Sequence, residues 1–371
     1  MAPGAPTALA QGIPVPTQVS PSTPGLNYGA VQQDLKSGSV DQFNLILEKQ
    51  FGQNLVTVGY IGDVGHHLPI VLNNVNVPNP TGLTPAQINA LNNHNFDPFP
   101  NVGSIGYYFS EGSSTYHSLE ASYEHRYSKG LTLGSNYTWS HSIDDAPGLS
   151  FEGQEGFGNA NPFNIKALET SNSDLDLRHR FVVFGTYELP FGKNLDGFRK
   201  MAFGGWETNV LLGWNSGNPF TITDNFTRGQ TIFPAQLGAS GPDRPLQIAP
   251  AGVSNPSIAQ WFNPNAFVVP GPGVTGNTPR NSLYGPGFRH LDFSLFKNFQ
   301  VTERFRLQFR SEFFNITNTP SYFIANNQNS DSTTNLVPLQ GNAPSPAFGQ
   351  IVRTNPNYTP RAIQLAMKLT F

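Results

Sequence analysis

The chain has 371 residues, carries a net charge of -3 at pH 7, and has only 12% charged residues. The lack of a basic excess argues against a nucleic-acid-binding protein, and the absence of cysteine excludes disulfides, thiolate catalysis and cysteine-ligated zinc. No run of about 18 apolar residues is present to form a membrane-spanning helix. Few charges, many aromatic residues and abundant Asn, Gln, Ser and Thr are typical of a β-surface with lipid on one side and water on the other.

Alternation of apolar and polar residues with a period of two predicts four β-hairpins followed by one terminal strand. Short turns are expected at Gly52–Asn54, Ser128–Gly130, Gly192–Asn194 and Gln300–Glu303. The apolar positions of the strands are, in order, Phe43, Leu45, Leu47; Val56, Val58, Tyr60; Leu119, Ala121, Tyr123; Leu131, Leu133, Tyr137, Trp139; Phe181, Val183, Tyr187, Leu189; Trp206, Val210, Leu212, Trp214; Leu291, Phe293, Leu295; Phe305, Leu307, Phe309; and Ile363, Leu365, Met367, Leu369, Phe371.

The connections between the hairpins are much longer than the turns within them. They cover approximately residues 63–114, 141–178, 221–288 and 318–360. Long loops on one side and short turns on the other predict an outer-membrane barrel with its loops outside the cell. The expected fold class is therefore all-β: a partial antiparallel transmembrane β-barrel of about nine or ten long meander strands, with long extracellular loops and short periplasmic turns.

This alternation of short periplasmic turns and long extracellular loops predicts that the C-terminus lies in the periplasm. Residues 1–40 are then expected to be a Pro- and Gly-rich remnant of an extracellular loop, and residues 41–371 the barrel part. The first residues, Met1–Pro6, lack the basic and apolar regions of a secretory signal peptide. We therefore interpret the chain as a fragment of a longer protein or the product of a misplaced start codon.

Each strand has a second, polar face, which cannot lie in a dry core but can line an aqueous lumen. Its charged positions are Glu120, Glu124, Arg126, Glu188, Glu207, Arg306, Arg310 and Glu312. Ion pairing across strands is the expected arrangement, and contact with a solute or a plug is the alternative. Aromatic residues near strand ends are expected to form interfacial girdles; these are Tyr60, Tyr127, Trp139, Tyr187, Trp206 and Trp214.

Two histidine groups offer possible metal ligands, His66–His67 and His141 with Asp144–Asp145. Neither has a recognised ligand spacing, so solvated polar residues are the favoured interpretation. Gly285–Gly287 is a turn rather than a phosphate-binding loop, and no Gly-x-Ser-x-Gly motif or triad is evident. We predict no catalytic, cofactor-binding or metal-binding residues and no enzymatic activity.

Five stretches carry a family resemblance: Asp176–Phe181, Phe262–Phe267, Arg280–Phe299, Leu307–Asn318 and Arg361–Phe371. Together they resemble the C-terminal β-barrel of TonB-dependent receptors, and more narrowly the Oar-like subgroup with a carboxypeptidase-regulatory-like N-terminal domain. In that family a barrel of about 22 strands encloses a plug, and a TonB box couples it to the inner membrane. The resemblance implies the Gram-negative outer membrane, contact with its lipid, and TonB as a partner if a plug lies upstream.

The final strand also resembles the signal read by the barrel-assembly machinery. Phe371 is the last residue, and Leu369 and Met367 precede it on the same face. The alternative is that any lipid-facing terminal strand shows this alternation. The machinery is accordingly an expected partner.

The favoured function is TonB-energised uptake of a scarce solute by the intact protein. A passive structural or adhesive barrel is the alternative, and a soluble all-β binding protein is disfavoured by the loop lengths. The ligand itself is unknown from the sequence. Ligand capture is expected in the loops, particularly near Phe151–Phe163 and Trp261–Phe267.

Overall fold

A computed structural model describes residues 26–72, 74–76, 84, 98–99, 102–145, 166, 169–224, 244–270, 274, 276–302, 304–324, 334, 336, 345–355 and 358–371. The strands are β1 (Leu26–Val31), β2 (Ser39–Phe51), β3 (Asn54–Leu72), β4 (Val102–Ser128), β5 (Leu131–Asp144), β6 (Ser171–Asn172), β7 (His179–Glu188), β8 (Trp206–Asn215), β9 (Pro219–Phe220), β10 (Leu246–Gln247), β11 (Phe267–Val268), β12 (Leu283–Tyr284), β13 (Phe288–Gln300), β14 (Arg306–Phe314), β15 (Tyr322–Phe323), β16 (Arg353–Thr354) and β17 (Ala362–Thr370). Helix α1 spans Gly197–Phe203, and a 3₁₀ turn spans Pro264–Ala266.

Nine strands form one antiparallel meander in the order β17-β14-β13-β8-β7-β5-β4-β3-β2. This confirms the four predicted hairpins and the terminal strand. Within the described residues, β2 and β17 lie at the two ends of the sheet, which does not close. No helix in this part of the chain is long and apolar enough to cross a membrane.

In three of the four hairpins, a short turn joins the two strands. β2 and β3 are separated by Gly52 and Gln53, and β4 and β5 by Lys129 and Gly130. Lys129 and Gly130 have φ angles of 51° and 87°. Two successive residues with positive φ match the twist of antiparallel strands, which explains why this position carries a glycine.

In the remaining hairpin, the connection between β7 and β8 contains helix α1. The sequence predicted a somewhat longer turn here but no helix.

The predicted loop at 63–114 is wrong at both ends, because β3 continues to Leu72 and β4 begins at Val102. Register shifts flank Leu68, so Pro69 lies at an irregularity where its missing N–H does not interrupt a regular ladder. Beyond the shifts, Ile70 and Leu72 pack with Phe109 in a small buried cluster. The β3–β4 ribbon therefore projects outward from the meander on its loop side.

Residues 26–31 add one further strand to this ribbon. β1 pairs with β4 in parallel, from Leu26 opposite Val102 to Val31 opposite Tyr108. The Gln32 side chain continues the contact, since its Oε1 accepts hydrogen bonds from Ser110 N at 2.8 Å and Ser110 Oγ at 3.2 Å.

The strand register places every predicted apolar position that lies within a paired strand on one face of the meander, here called the lipid face. One row across this face reads Leu47, Val58, Ala121, Tyr137, Phe181 and Trp214. The neighbouring row on the opposite face, here called the lumen face, reads Glu48, Thr57, Ser122, Asn136, Val182 and Gly213. One apolar and one mostly polar face across nine strands is the arrangement of a transmembrane barrel wall.

Leu211 and Leu212 provide a direct test of the two faces, because they are adjacent leucines on opposite faces of β8. Leu212 lies between Leu291 and Val183, whereas Leu211 lies between Asp292 and Phe184. Leu212→Arg is expected to destabilise the folded barrel by about 2–4 kcal/mol, and Leu211→Arg by about 1 kcal/mol or less. Urea unfolding in lipid vesicles measures both, and equal losses would contradict the assignment of faces.

Candidate functional site

Aromatic residues of the lipid face lie near strand ends at Tyr187, Trp206 and Trp214, and farther inside the strands at Tyr60 and Trp139. Five of the six predicted girdle residues have their register position on this face: Tyr60, Trp139, Tyr187, Trp206 and Trp214. Tyr127 does not, because a register shift between His125 and Ser128 turns it to the lumen face. Its hydroxyl donates a hydrogen bond to Glu188 Oε2 at 3.1 Å.

The lumen face carries the predicted charges, but they do not pair as expected. Among the described residues none of the eight forms an ion pair across strands; Glu124 and Arg126 pair along β4 at 3.6 Å. Glu188 lies directly opposite Glu207, which is unfavourable for two carboxylates unless water or donors surround them. The Arg310 guanidinium stacks 4.5 Å from the centroid of the Phe296 ring. Charged side chains that lack an ion pair across strands fit a polar, water-accessible lumen.

The histidine groups have protein partners rather than a shared centre. His66 Nε2 lies 3.5 Å from Asp41 Oδ2, and His141 Nε2 lies 2.8 Å from Arg178 Nη2. Asp145 accepts hydrogen bonds from Ser113 N at 2.6 Å and Ser113 Oγ at 2.7 Å. In the described ranges no group of three or more His, Cys, Asp or Glu side chains could hold a metal ion.

A buried polar network lies at the long-loop end of β5 and β7, and two of the recognised motifs meet there. Asp176 is 1% exposed, accepts from Ser142 N at 2.7 Å, and pairs with Arg178 Nε at 3.0 Å. The Tyr284 hydroxyl donates to Asp176 Oδ2 at 2.6 Å and accepts from Arg178 Nε at 2.8 Å. Asp176–Phe181 and Arg280–Phe299 are thus bonded to each other although about a hundred residues separate them.

Arg280 forms the centre of the adjoining charge cluster and is 1% exposed. Its guanidinium pairs with Asp144, with Glu169 Oε2 at 3.5 Å, and with Asp174 Oδ1 at 3.5 Å. Arg244 Nη2 also lies 3.4 Å from Glu169 Oε1. Buried charges are tolerated when they are paired in this way, so the cluster joins the β5–β7 loop and the β8–β13 loop to the end of β5.

Asn281 extends the same network. Its backbone has a φ of 50°, a conformation that Asn adopts more readily than most residues. Its Nδ2 donates to Asn172 O at 2.9 Å, and Asn172 Nδ2 donates to Asn281 O at 2.8 Å. We call the network around Asp176 and the charge cluster around Arg280 together the loop platform. Its members are His141, Asp144, Glu169, Asn172, Asp174, Asp176, Arg178, Arg244, Arg280, Asn281 and Tyr284.

An aromatic core holds the long loops above the loop platform. It contains Phe220, Ile222, Ala251, Phe262, Ala266, Phe267, Leu336 and Phe348. Phe262 lies 5.1 Å from Phe348 and 5.9 Å from Phe267 between ring centroids, both edge-to-face, a favourable aromatic geometry.

The core changes the interpretation of the stretch Trp261–Phe267, which the sequence predicted to capture ligand. Phe262, Ala266 and Phe267 are 2%, 0% and 4% exposed, and Trp261 Nε1 donates to Tyr284 O at 2.8 Å. Phe262, Ala266 and Phe267 therefore stabilise the loop fold and do not face solvent, whereas Asn265 in the same stretch is exposed, so ligand capture by this stretch stays a prediction for its exposed residues. The other stretch, Phe151–Phe163, lies outside the described residues.

The predicted assembly residues lie on the lipid face at the end of β17. Met367 is opposite Phe309 and Leu369 is opposite Leu307. Both are well exposed, as is Phe371, whose ring lies 6.5 Å from that of Phe305.

The chain belongs to the outer membrane beta barrel domain family, whose sequence profile matches residues 1–364. It is accordingly a β-barrel protein of the Gram-negative outer membrane. No curated protein sequence matches the chain.

Three solved structures show a distant likeness in fold. The outer membrane transporter YddB from Escherichia coli has 9% identity and a TM-score of 0.43, over 94% of this chain and 34% of YddB. BauA, the ferric preacinetobactin receptor of Acinetobacter baumannii, has 10% identity and a TM-score of 0.41, over 89% and 29%. FpvA, the pyoverdine outer membrane receptor of Pseudomonas aeruginosa PAO1, has 9% identity and a TM-score of 0.41, over 91% and 30%. The chain spans about a third of the length of these proteins.

Tyr284 gives the loop platform a pH dependence. Burial, followed by the hydrogen bond to Asp176, raises the pKa of Tyr284 from 10.0 to about 12. Because the folded-state pKa exceeds the unfolded one, this contribution to stability is complete below pH 10 and is lost as the pH rises towards 12. Tyr284→Phe should remove that part of the pH dependence and destabilise the fold by about 1–3 kcal/mol, since Asp176 loses a donor.

The measurement is urea unfolding of the wild type and the variant between pH 8 and 12. Tyr28→Phe, an exposed tyrosine on β1, is the matched control and should leave the pH profile unchanged. A Tyr284→Phe profile that falls as steeply as the wild type above pH 10 would contradict the role of this hydroxyl.

Proposed function

We propose that this chain is the C-terminal part of the wall of an outer-membrane receptor, and that the intact protein takes up a scarce solute with TonB energy. The observation that carries the proposal is the loop platform, because a passive wall has no need of long loops fixed to the strands by buried ion pairs. In this proposal residues 41–371 are the barrel part and residues 1–40 belong to an extracellular loop, apart from Ser39 and Val40, which begin β2.

The family resemblance of the five motifs supports energy coupling and the more specific Oar-like assignment. Two of those motifs supply Asp176, Arg178, Arg280 and Tyr284 to the loop platform. A third, Phe262–Phe267, supplies Phe262, Ala266 and Phe267 to the aromatic core. Three of the five motifs therefore contribute residues where the loops meet the strands, the position from which a receptor holds its ligand-binding surface.

In the proposal the loops bind the solute, the lumen face conducts it, and no bond is made or broken by this chain. The protein is thus a receptor rather than an enzyme. Its charged lumen residues, such as Glu188, Glu207 and Arg310, are the groups that a solute or a plug contacts in this proposal.

Uptake can be tested before the solute is identified. Cells with and without the complete gene are grown in a defined nutrient mixture, and depletion of each solute from the medium is followed by mass spectrometry. We expect at least one solute whose depletion requires both the gene and TonB.

The same experiment distinguishes energised uptake from the alternative function of a passive barrel. A passive barrel, structural or adhesive, predicts gene-dependent depletion that persists in a strain lacking TonB, or no depletion at all. Either outcome would overturn energised uptake and leave the outer-membrane barrel assignment untouched.

Assembly provides a second test, on this chain alone. We propose that Phe371, Leu369 and Met367 are read by the barrel-assembly machinery. Phe371→Ala is expected to lower the amount of folded protein in the outer membrane several-fold, because an exposed aromatic terminus is lost. Thr370→Ala, the adjacent residue on the opposite face, is the control.

Heat-modifiable migration of outer-membrane fractions measures the folded amount of each variant. Equal amounts for Phe371→Ala and the wild type would show that the terminal alternation merely reflects a lipid-facing strand.

A further inference from the structure

The connection between β7 and β8 differs from the other periplasmic turns in length, structure and charge. It runs from Leu189 to Gly205 and contains α1, whereas two residues suffice in each of two other hairpins. Three basic residues (Lys193, Arg199, Lys200) and one acidic residue (Asp196) give the segment a net charge of +2, in a chain whose net charge is -3.

Lys297 fixes α1 on the outer side of the barrel wall. Its register position is on the lipid face of β13, opposite Trp206 and Phe309. Its Nζ donates to the carbonyl oxygens of Ala202, at 3.1 Å, and Gly204. Since those carbonyls close the C-terminal end of α1, the helix lies against the lipid face rather than beneath the lumen.

Aromatic rings and a glycine contact complete this attachment. The Lys297 ammonium lies 5.0 Å from the Trp206 ring centroid and 5.2 Å from that of Phe299, within cation–π range. A side chain at Gly192 would meet Gly204 N at 2.6 Å, and Gly192 has a φ of 68°. The ends of the segment are thus held together, and its position follows from named contacts.

Four apolar side chains of the segment are exposed. Phe198 is 75% exposed, Phe203 62%, Phe191 61% and Met201 50%. No residue of α1 is buried. Three phenylalanines and a methionine beside Arg199 and Lys200 are costly in water, and they are suited to the boundary between acyl chains and headgroups.

We propose that α1, with Phe191 and Lys193, is an interfacial anchor that inserts into the periplasmic leaflet and binds anionic phospholipid headgroups. The side is given by the topology, because α1 lies at the same end of the strands as the tight turns and Phe371. Phe198 and Met201 enter the acyl boundary, and Arg199, Lys200 and Lys193 meet the phosphates. Electrostatic attraction and apolar burial add together in such a contact.

The absence of cysteine allows a site-specific test on the full chain. Met201→Cys is labelled with an environment-sensitive fluorophore, and the protein is reconstituted into vesicles containing brominated lipid as quencher. Val58→Cys, on the lipid face of β3, sets the signal for membrane contact, and Gln53→Cys, in the β2–β3 turn, sets the signal for a periplasmic turn.

We expect the Met201 label to be quenched about two-fold or more above the Gln53 label when phosphatidylglycerol is present. Arg199→Glu combined with Lys200→Glu should reduce this quenching, and Arg304→Glu, in the β13–β14 turn, should not. A Met201 label quenched no more than Gln53, while Val58 is quenched, would overturn the anchor and leave the barrel intact.

Two further outcomes would also overturn the assignment. Equal quenching of the Met201 label in purely neutral vesicles, with no effect of the double charge reversal, would contradict the proposed binding of anionic phospholipid headgroups. Shielding of the Met201 label that requires added periplasmic extract would identify a protein partner instead.

Discussion

Backbone hydrogen bonding in lipid is the constraint on which the rest of this structure depends. An unpaired peptide group in the hydrocarbon region costs several kcal/mol, so each strand must pair with its neighbours along the whole crossing. Pairing also transmits the register from strand to strand, and a slip by one residue would exchange the two faces. The continuous row from Leu47 to Trp214 therefore records one register kept through six strands.

Outside the membrane the same constraint is relaxed, and the structure changes accordingly. The β3–β4 ribbon accommodates register shifts and Pro69, and β1 joins it in parallel. The long loops are stabilised by interactions that a lipid-exposed surface could not use, namely buried ion pairs around Arg280 and an aromatic core around Phe262. Two different sets of interactions thus stabilise the two halves of the chain.

The strands were predictable from the sequence because successive side chains of a strand point to opposite faces of the sheet, so that apolar residues on the lipid face recur at every second position, as in Leu365, Met367 and Leu369. Register shifts were not, since nothing local distinguishes His125–Ser128 from a regular strand, and Tyr127 was assigned to the wrong face. Loop burial was also hidden. An aromatic stretch such as Trp261–Phe267 has the same composition whether it binds a ligand or packs against Phe348. Helix α1 is too short for a periodic signal.

The recognised motifs acquire a physical meaning from the loop platform. Asp176 and Tyr284 come from different loops and form a hydrogen bond of 2.6 Å. The polar side chains of each motif therefore find hydrogen-bond partners in the other motif. Their role is to hold the loop bases against the strands, which any solute-binding surface above them requires. The motifs consequently identify an architecture, and under the proposed receptor function the ligand specificity depends on loop residues outside them. For this reason similarity in the motifs is compatible with different ligands on the same platform.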